Sequence, residues 1–381
     1  MRFKDLIKEL QNEYKLQVKN KNEIYIDVEK ENIRDVVNSM FLKFKLYFVA
    51  EFCVDNVENF IINVVLNNRK NGYYVILRYK TDEDIVSLQG LAYQSELFER
   101  EISDLFGLKI NGGKDTRNIV KHEIWQDNVY PLRKDFKFKD KVKDSYEIQE
   151  YRFKEISGDG AYQIPVGPVH AGIIEPGHFR FSVIGEDIEN LEIRLMYKHR
   201  GIEKLCENVS ADKLNLVFER VAGESSVAYS EAYALLIEKL LEFGVADDIK
   251  VVRTILLELE RIYNFLDDIA GICVDVGYSY PAKKFSYLSE LIHQLNEKIS
   301  GSRFLRNTII PGGINIDLTK EKISTILETI ENVEERFEAI VDMTLNSVSF
   351  LDRVEITGIV ENEVAKTSFD RSSWKGLRNK V

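Results

Sequence analysis

Gly167-Pro168-Val169-His170-Ala171-Gly172-Ile173-Ile174-Glu175-Pro176-Gly177-His178-Phe179-Arg180-Phe181 is the stretch around which the rest of the chain is arranged. It holds two of the six prolines and two of the five histidines, and Pro165 lies just before it. Proline fixes φ and removes a donor, and glycine permits tight turns and close approach, so this density implies a shaped loop. Arg180 then alternates with apolar neighbours through Val183, which reads as a strand. The expectation is a folded loop that delivers two imidazoles, His170 and His178, and feeds a strand. An ordinary turn between domains, with packed histidines, is the competing reading.

Outward from the loop, the chain has 381 residues, room for two or three domains, and 44% hydrophobic residues, enough for sizeable cores. The 63 acidic and 52 basic residues give a net charge of −11, which argues against a general nucleic-acid surface. Cys53, Cys206 and Cys273 are far apart and form no CxxC pair, so spacing makes no case for a zinc ribbon or an iron–sulfur cluster. The N-terminus lacks a signal-peptide core and no apolar run reaches membrane-spanning length, so a reducing cytoplasmic setting fits. A peripheral place in a membrane complex stays open.

Upstream, Phe3–Tyr14 has helical character and Ile24–Val28 reads as a short strand. Ile61–Leu66 and Tyr73–Tyr79 flank Asn71-Gly72 and read as a hairpin. Helices beside an antiparallel sheet make an α+β domain. Leu91–Leu108 reads as a salt-linked surface helix with an i,i+4 pair, Glu96 and Arg100, ended by Gly107. Tyr130–Phe136 is an aromatic, basic extended segment, and Ser157-Gly158-Asp159-Gly160 is flexible in character. The expected division is a docking domain over 1–140, a linker or docking arm over 141–165 and a second domain over 166–381.

Downstream, Ile188–Met196 alternates as a strand. A long helix over Phe218–Phe243 is expected, followed by helices over Val245–Ile269, Ala282–Ile299 and Thr319–Leu345, with breaks at Pro281 and Pro311-Gly312-Gly313. No GxGxxG or P-loop is present. Arg180 and Arg220 can add positive potential beside the histidines, and Glu175, Glu186, Glu219 and Glu224 offer carboxylates. No His/Cys/Asp/Glu set has metal-ligand spacing, and Ser225-Ser226 lacks a nucleophile elbow. Local chemistry therefore stops at a polar or anionic small-molecule pocket, or a structural joint.

Several stretches together resemble the fused complex I 30-kDa/49-kDa subunits, and especially the large subunit of membrane-bound energy-converting nickel–iron hydrogenases. Glu99-Arg100-Glu101-Ile102-Ser103-Asp104-Leu105-Phe106-Gly107 resembles the 30-kDa signature, and Tyr130–Phe136 its tail. Residues 167–181 resemble the start of the large subunit, reinforced by Tyr197–Lys204 and Arg253–Arg261. The resemblance implies an α+β domain, then a small sheet and a mainly helical body. It also implies an iron–sulfur cluster in a partner small subunit, membrane subunits as further partners, and a peripheral place on the cytoplasmic side of the membrane.

The departures from that pattern concern the site. Where the hydrogenase branch has Arg-Ile-Cys-Gly-Ile-Cys, this chain has Arg220-Val221-Ala222-Gly223-Glu224-Ser225. Ala222 cannot coordinate, and the Ser225 hydroxyl is a poor substitute for a soft thiolate. The family's second CxxC is absent, and the chain ends at Val381, before the usual C-terminal portion. The resemblance places the quinone-cavity histidine at His178 and its partner tyrosine at Gly223, which has no hydroxyl to donate. Tyr229 lies nearby in sequence. The expectation is an oxidoreductase-complex subunit with no cofactor of its own, with His178 as the catalytic candidate and His170, Arg180, Arg220, Glu224 and Tyr229 as cavity or docking candidates. Quinone reduction through His178 and a catalytically inactive structural or assembly role are the alternatives.

Overall fold

The computed structural model describes residues 3–20, 22–126, 128–137, 151–170 and 175–359. Part of the 141–165 linker, the Ala171–Ile174 piece of the central loop and the chain's end at Val381 lie outside these residues. Contacts divide the chain into two compact units. The first holds residues 1–169 and 176–199, and the second holds 170–175 and 200–359.

The first unit begins with α1 (Phe3–Gln11), β1 (Leu16–Asn20), β2 (Glu23–Asp27), α2 (Ile33–Leu42), β3 (Tyr47–Asp55), β4 (Phe60–Asn68) and β5 (Tyr73–Thr81). The five strands form one sheet in the order β1-β2-β5-β4-β3. The expected hairpin is β4–β5, paired antiparallel from Phe60↔Thr81 to Asn68↔Tyr73, with Gly72 at φ 65° in its turn. The sheet is mixed rather than purely antiparallel, because β2 runs parallel to β5. Ile24, Ile26, Ile62, Val64, Leu66, Val75 and Leu77 alternate onto its core face and are fully buried.

After β6 (Asp84–Val86), α3 (Ser95–Phe106) packs on that sheet and is followed by β7 (Lys109–Asn111). Gly107 ends α3 at φ 73°, and Arg100 meets Glu96 at 3.3 Å, both as the spacing predicts. The helix is more than a surface element, however. Glu99 is fully buried and accepts from Leu88 N at 2.6 Å, Ser95 Oγ at 2.8 Å and Gln89 Nε2 at 3.0 Å. Asp104 is also buried, and its Oδ2 accepts the backbone N–H groups of Ile119, Val120 and Lys121 at 2.8, 2.8 and 3.0 Å. The two acids organise the loops on either side of α3 by satisfying donors that no strand or helix satisfies.

The first unit ends in a three-stranded antiparallel sheet of β8 (Ala161–Val166), β9 (His178–Ile184) and β10 (Asp187–Arg194), with β9 central. Directly paired residues share a face. One face carries the rungs Tyr162–Val183–Ile188, Ile164–Phe181–Leu191 and Val166–Phe179–Ile193. The other carries Gln163–Ser182–Asn190 and Pro165–Arg180–Glu192, with His178 opposite Arg194. The polar face is the covered one. Ser182 and His178 are buried, and Glu192 accepts from Tyr151 Oη at 3.0 Å and Lys154 N at 2.5 Å.

The second unit comprises α4 (Ile202–Cys206), α5 (Ala211–Phe218), α6 (Ser226–Leu240), α7 (Asp247–Asp275), α8 (Ser279–Ser300), β11 (Ile309–Ile310), β12 (Gly313–Ile314), α9 (Lys320–Leu345) and α10 (Val348–Val354). The helix expected over Phe218–Phe243 starts later and is α6 alone, because residues 219–225 form a turn after the end of α5 at Phe218. Buried Glu219 reaches away from that turn to accept Asn307 N at 2.5 Å. Pro281 does not break α8. It sits in the first turn, where the helix needs no donor from it. Pro311-Gly312 forms the tight turn between β11 and β12, with Gly312 at φ 83°. The core is made where α8 packs against α7 and α9, through Tyr263, Leu266, Phe285, Leu288 and Ile292.

Candidate functional site

His178 and Arg180 lie in the first unit, whereas His170, Arg220, Ala222, Glu224, Ser225 and Tyr229 lie in the second. In the first, the central loop is the connection between β8 and β9, so it does feed a strand, and His178 is that strand's first residue. Gly167 adopts φ 83°, and Gly177 N donates to the Pro168 carbonyl at 2.9 Å, which closes the loop's base. His178 Nδ1 stands 3.2 Å from the Gly167 carbonyl, and Arg180 Nε donates to His178 Nε2 at 3.2 Å. A carbonyl only accepts, and an arginine only donates, so these partners assign the hydrogen to Nδ1 and leave Nε2 as an acceptor. Phe153 completes the cluster. Its ring centroid is 5.2 Å from that of His178, and the Arg180 guanidinium lies 4.1 Å from the same centroid.

Arg194, opposite His178, extends this polar layer. It donates to both Glu123 carboxylate oxygens at 2.8 Å and stacks 3.9 Å from the Tyr151 ring centroid. It also stands 3.1 Å from His122 Nδ1. Burial and this guanidinium hold His122 below the ordinary histidine range. Arg117 hydrogen-bonds Tyr151 Oη, and Asp115, held below the usual carboxylate range by its hydrogen bonds with Arg117, anchors that arginine. The layer is a built joint within the unit, made of paired charges and stacked rings.

In the second unit, the turn 219–225 is held from two sides. Arg200 donates to the Val221 carbonyl at 2.7 Å and to Glu175 Oε1 at 2.9 Å, which ties a residue of the central loop to the turn. From α7, Tyr263 Oη and Asn264 Nδ2 both donate to the Glu224 carbonyl, the latter at 3.1 Å. Glu260, also on α7, is buried and accepts Val227 N at 2.6 Å and Ala228 N at 3.0 Å, at the exposed-donor end of α6. Burial lifts Glu260 to about 7 despite those two donors, with the Glu224 charge adding to the rise. Arg200 and Glu260 lie in the stretches Tyr197–Lys204 and Arg253–Arg261 without being singled out there, and Tyr263 and Asn264 lie outside them. The spacing 260, 263, 264 places the last three on one helix face and was the available signal.

The named candidates of this unit are placed less pointedly. Glu224 is exposed, Tyr229 and His170 are half-buried, and Arg220 is exposed with its guanidinium donating to the Leu216 carbonyl at 2.5 Å and lying 3.8 Å from Glu219. Of the arginine and glutamate set on α7, Arg253 is buried and paired with Glu238 at 2.6 Å, also donating to the Ile310 and Gly313 carbonyls. Glu258 and Arg261 pair at 2.7 Å on the surface instead. Arg253 and the Glu258–Arg261 pair are thus two separate features of α7.

The residues at 222 and 225 do not fit a nickel–iron centre. They present a methyl group and a hydroxyl where soft donors are needed. Among the described residues no group of three or more His, Cys, Asp or Glu side chains could hold a metal ion. At Gly223 an added Cβ would meet nothing within 4 Å, so space and backbone do not demand glycine there.

The chain is thus an α+β domain with buried Glu99 and Asp104, followed by a small sheet and a helical body. Residues 26–142 match the family of the respiratory-chain NADH dehydrogenase 30 Kd subunit, and residues 275–369 match that of the 49 Kd subunit, so both matches fall in one chain, in that order. It is 31% identical to formate hydrogenlyase subunit 5 of Escherichia coli over 70% of this chain and 48% of that protein. It is 32% identical to hydrogenase-4 component G of the same organism, over 70% and 49%. It is 24% identical to the fused C/D polypeptide of the NADH-quinone oxidoreductase of Phocaeicola vulgatus, over 81% and 60%. The chain thus spans about half the length of the hydrogenase-type relatives it matches. Among the described residues no helix is long and apolar enough to cross a membrane.

Proposed function

We propose that this chain is a peripheral subunit of a membrane-associated respiratory or energy-converting oxidoreductase complex and carries no nickel–iron centre of its own. The observation behind this reading is the turn 219–225. It is held in place by Arg200, Tyr263 and Asn264, yet presents Ala222 and Ser225 instead of thiolates. The scaffold around the ancestral cavity is retained and its soft ligands are not. Under this reading an iron–sulfur cluster resides in a partner small subunit, membrane subunits complete the assembly on its cytoplasmic face, and this chain supplies position and electrostatics.

The chemistry of His178 supports a positioning role over quinone reduction. A quinone oxygen needs a donor, but the Nδ1 hydrogen is directed at Gly167 and Nε2 accepts from Arg180. Gly223 adds no phenol. The test is metal analysis and anaerobic spectroscopy of the intact complex purified through this chain. Iron without stoichiometric nickel is expected, and nickel bound by this chain would overturn the reading. Quinone-dependent activity that His178→Ala abolishes, while the assembly stays intact, would restore the quinone role.

A further inference from the structure

The three-stranded sheet is turned inside out. Its polar face is packed, while on its apolar face Tyr162, Ile164, Val166, Ile188, Leu191 and Ile193 are each 37–60% exposed. Phe179, Phe181 and Val183 fill the central strand between them. Val183 is itself buried, so the open apolar surface is the rungs Ile164–Phe181–Leu191 and Val166–Phe179–Ile193 with Tyr162 and Ile188 at their end, a cluster of the kind that marks an interaction site. At the hairpin tip beside this patch, Gly185-Glu186-Asp187-Ile188-Glu189 is exposed throughout and carries three acids with no base.

We propose that this face docks a partner subunit, through an apolar protein surface bordered by lysine or arginine that meets Glu186, Asp187 and Glu189. The inference rests on the reading of the chain as a complex subunit. Charge selects the occupant. An acidic border repels an anionic leaflet, which disfavours a lipid surface. A second copy brings its own net charge of −11 and the same acidic tip, which disfavours self-association. A flat apolar centre with a charged edge has the anatomy of a protein–protein interface, in which the centre supplies affinity and the edge supplies register.

The test purifies the assembly through a tag on the full chain, with a photo-crosslinking residue in place of Leu191 in one sample and Ile164→Ser/Ile193→Ser in another. A crosslink from position 191 to a lysine- or arginine-bordered segment of a partner subunit is expected. The double variant should retain about tenfold less of that partner at an unchanged melting temperature. Glu186→Lys/Glu189→Lys, which leaves the apolar rungs in place, should weaken retention in a salt-dependent way. Full retention in the double variant, a crosslink within the chain itself, to a second copy or to lipid, or none at all, overturns the docking assignment. If the wild-type chain purifies with no partner subunit, the reading as a complex subunit falls, and the docking proposal falls with it.

Discussion

Glu51 is a carboxyl enclosed in the interior of the first unit. It lies on β3, is 1% exposed, and neither of its carboxylate oxygens has a hydrogen-bond partner. Glu99 and Tyr79 belong to the same interior, but three donors are committed to the Glu99 carboxylate. Burial, with the Glu99 charge beside it, pushes Glu51 well above the usual carboxylate range, so the folded chain keeps it protonated while the unfolded chain ionises it near 4.5. The folded state then binds the extra proton, and stability falls as pH rises, by about 1.4 kcal/mol per pH unit while Glu51 stays protonated. Glu51→Gln keeps the shape and a neutral polar group but cannot ionise in either state. The variant should match the wild type near pH 5 and exceed it at pH 8, by about 1.4 kcal/mol for each pH unit over which Glu51 stays protonated, or about 2–4 °C in melting temperature for each kcal/mol in a unit of this size. Urea titrations of the full chain at both pH values, scored by pulse proteolysis of the first unit, measure this. Glu99 titrates in both proteins, so the difference between them isolates Glu51. A wild-type midpoint independent of pH, or a variant weaker at both values, would show that Glu51 is ionised and paired and would refute the reasoning.

Three further outcomes follow from the same geometry. Asp104→Ala strips the acceptor from three buried backbone donors and should destabilise the first unit by about 2–4 kcal/mol, read by the same titration. Gly223→Ala should be tolerated within about 0.5 kcal/mol, because a Cβ there meets nothing within 4 Å; a loss of several kcal/mol would mean that the turn cannot hold a side chain. Glu260 is raised to about 7, so the helical unit should lose stability as pH climbs from the ordinary carboxylate range to about 7 and change little beyond. Glu260→Gln should flatten that slope, and a slope unchanged in the variant would assign it to another group.

Much of the architecture was legible because periodicity is local. The β4–β5 hairpin, the cap at Gly107, the strand after the central loop and the long helices α7, α8 and α9 are all written as alternation, helical spacing or turn residues. Residues 218–243 misled for the same reason, since apolar spacing carries across 219–225 although the backbone turns there. The parallel β2–β5 pair was beyond reach, because it joins strands far apart in the chain and depends on no turn between them.

The amino-acid sequence by itself determined the substitutions that matter chemically. No fold can make a thiolate of Ala222 or Ser225, or a phenol of Gly223. Tertiary structure alone decided which polar groups are shielded from water and which partners they meet. Glu99 and Asp104 read as surface charges until the sheet and the 119–121 loop closed over them. The central loop, expected to deliver two imidazoles, holds His178 with both ring nitrogens engaged. Burial and hydrogen-bond pairing are properties of groups distant in sequence, and only the folded chain brings those groups together.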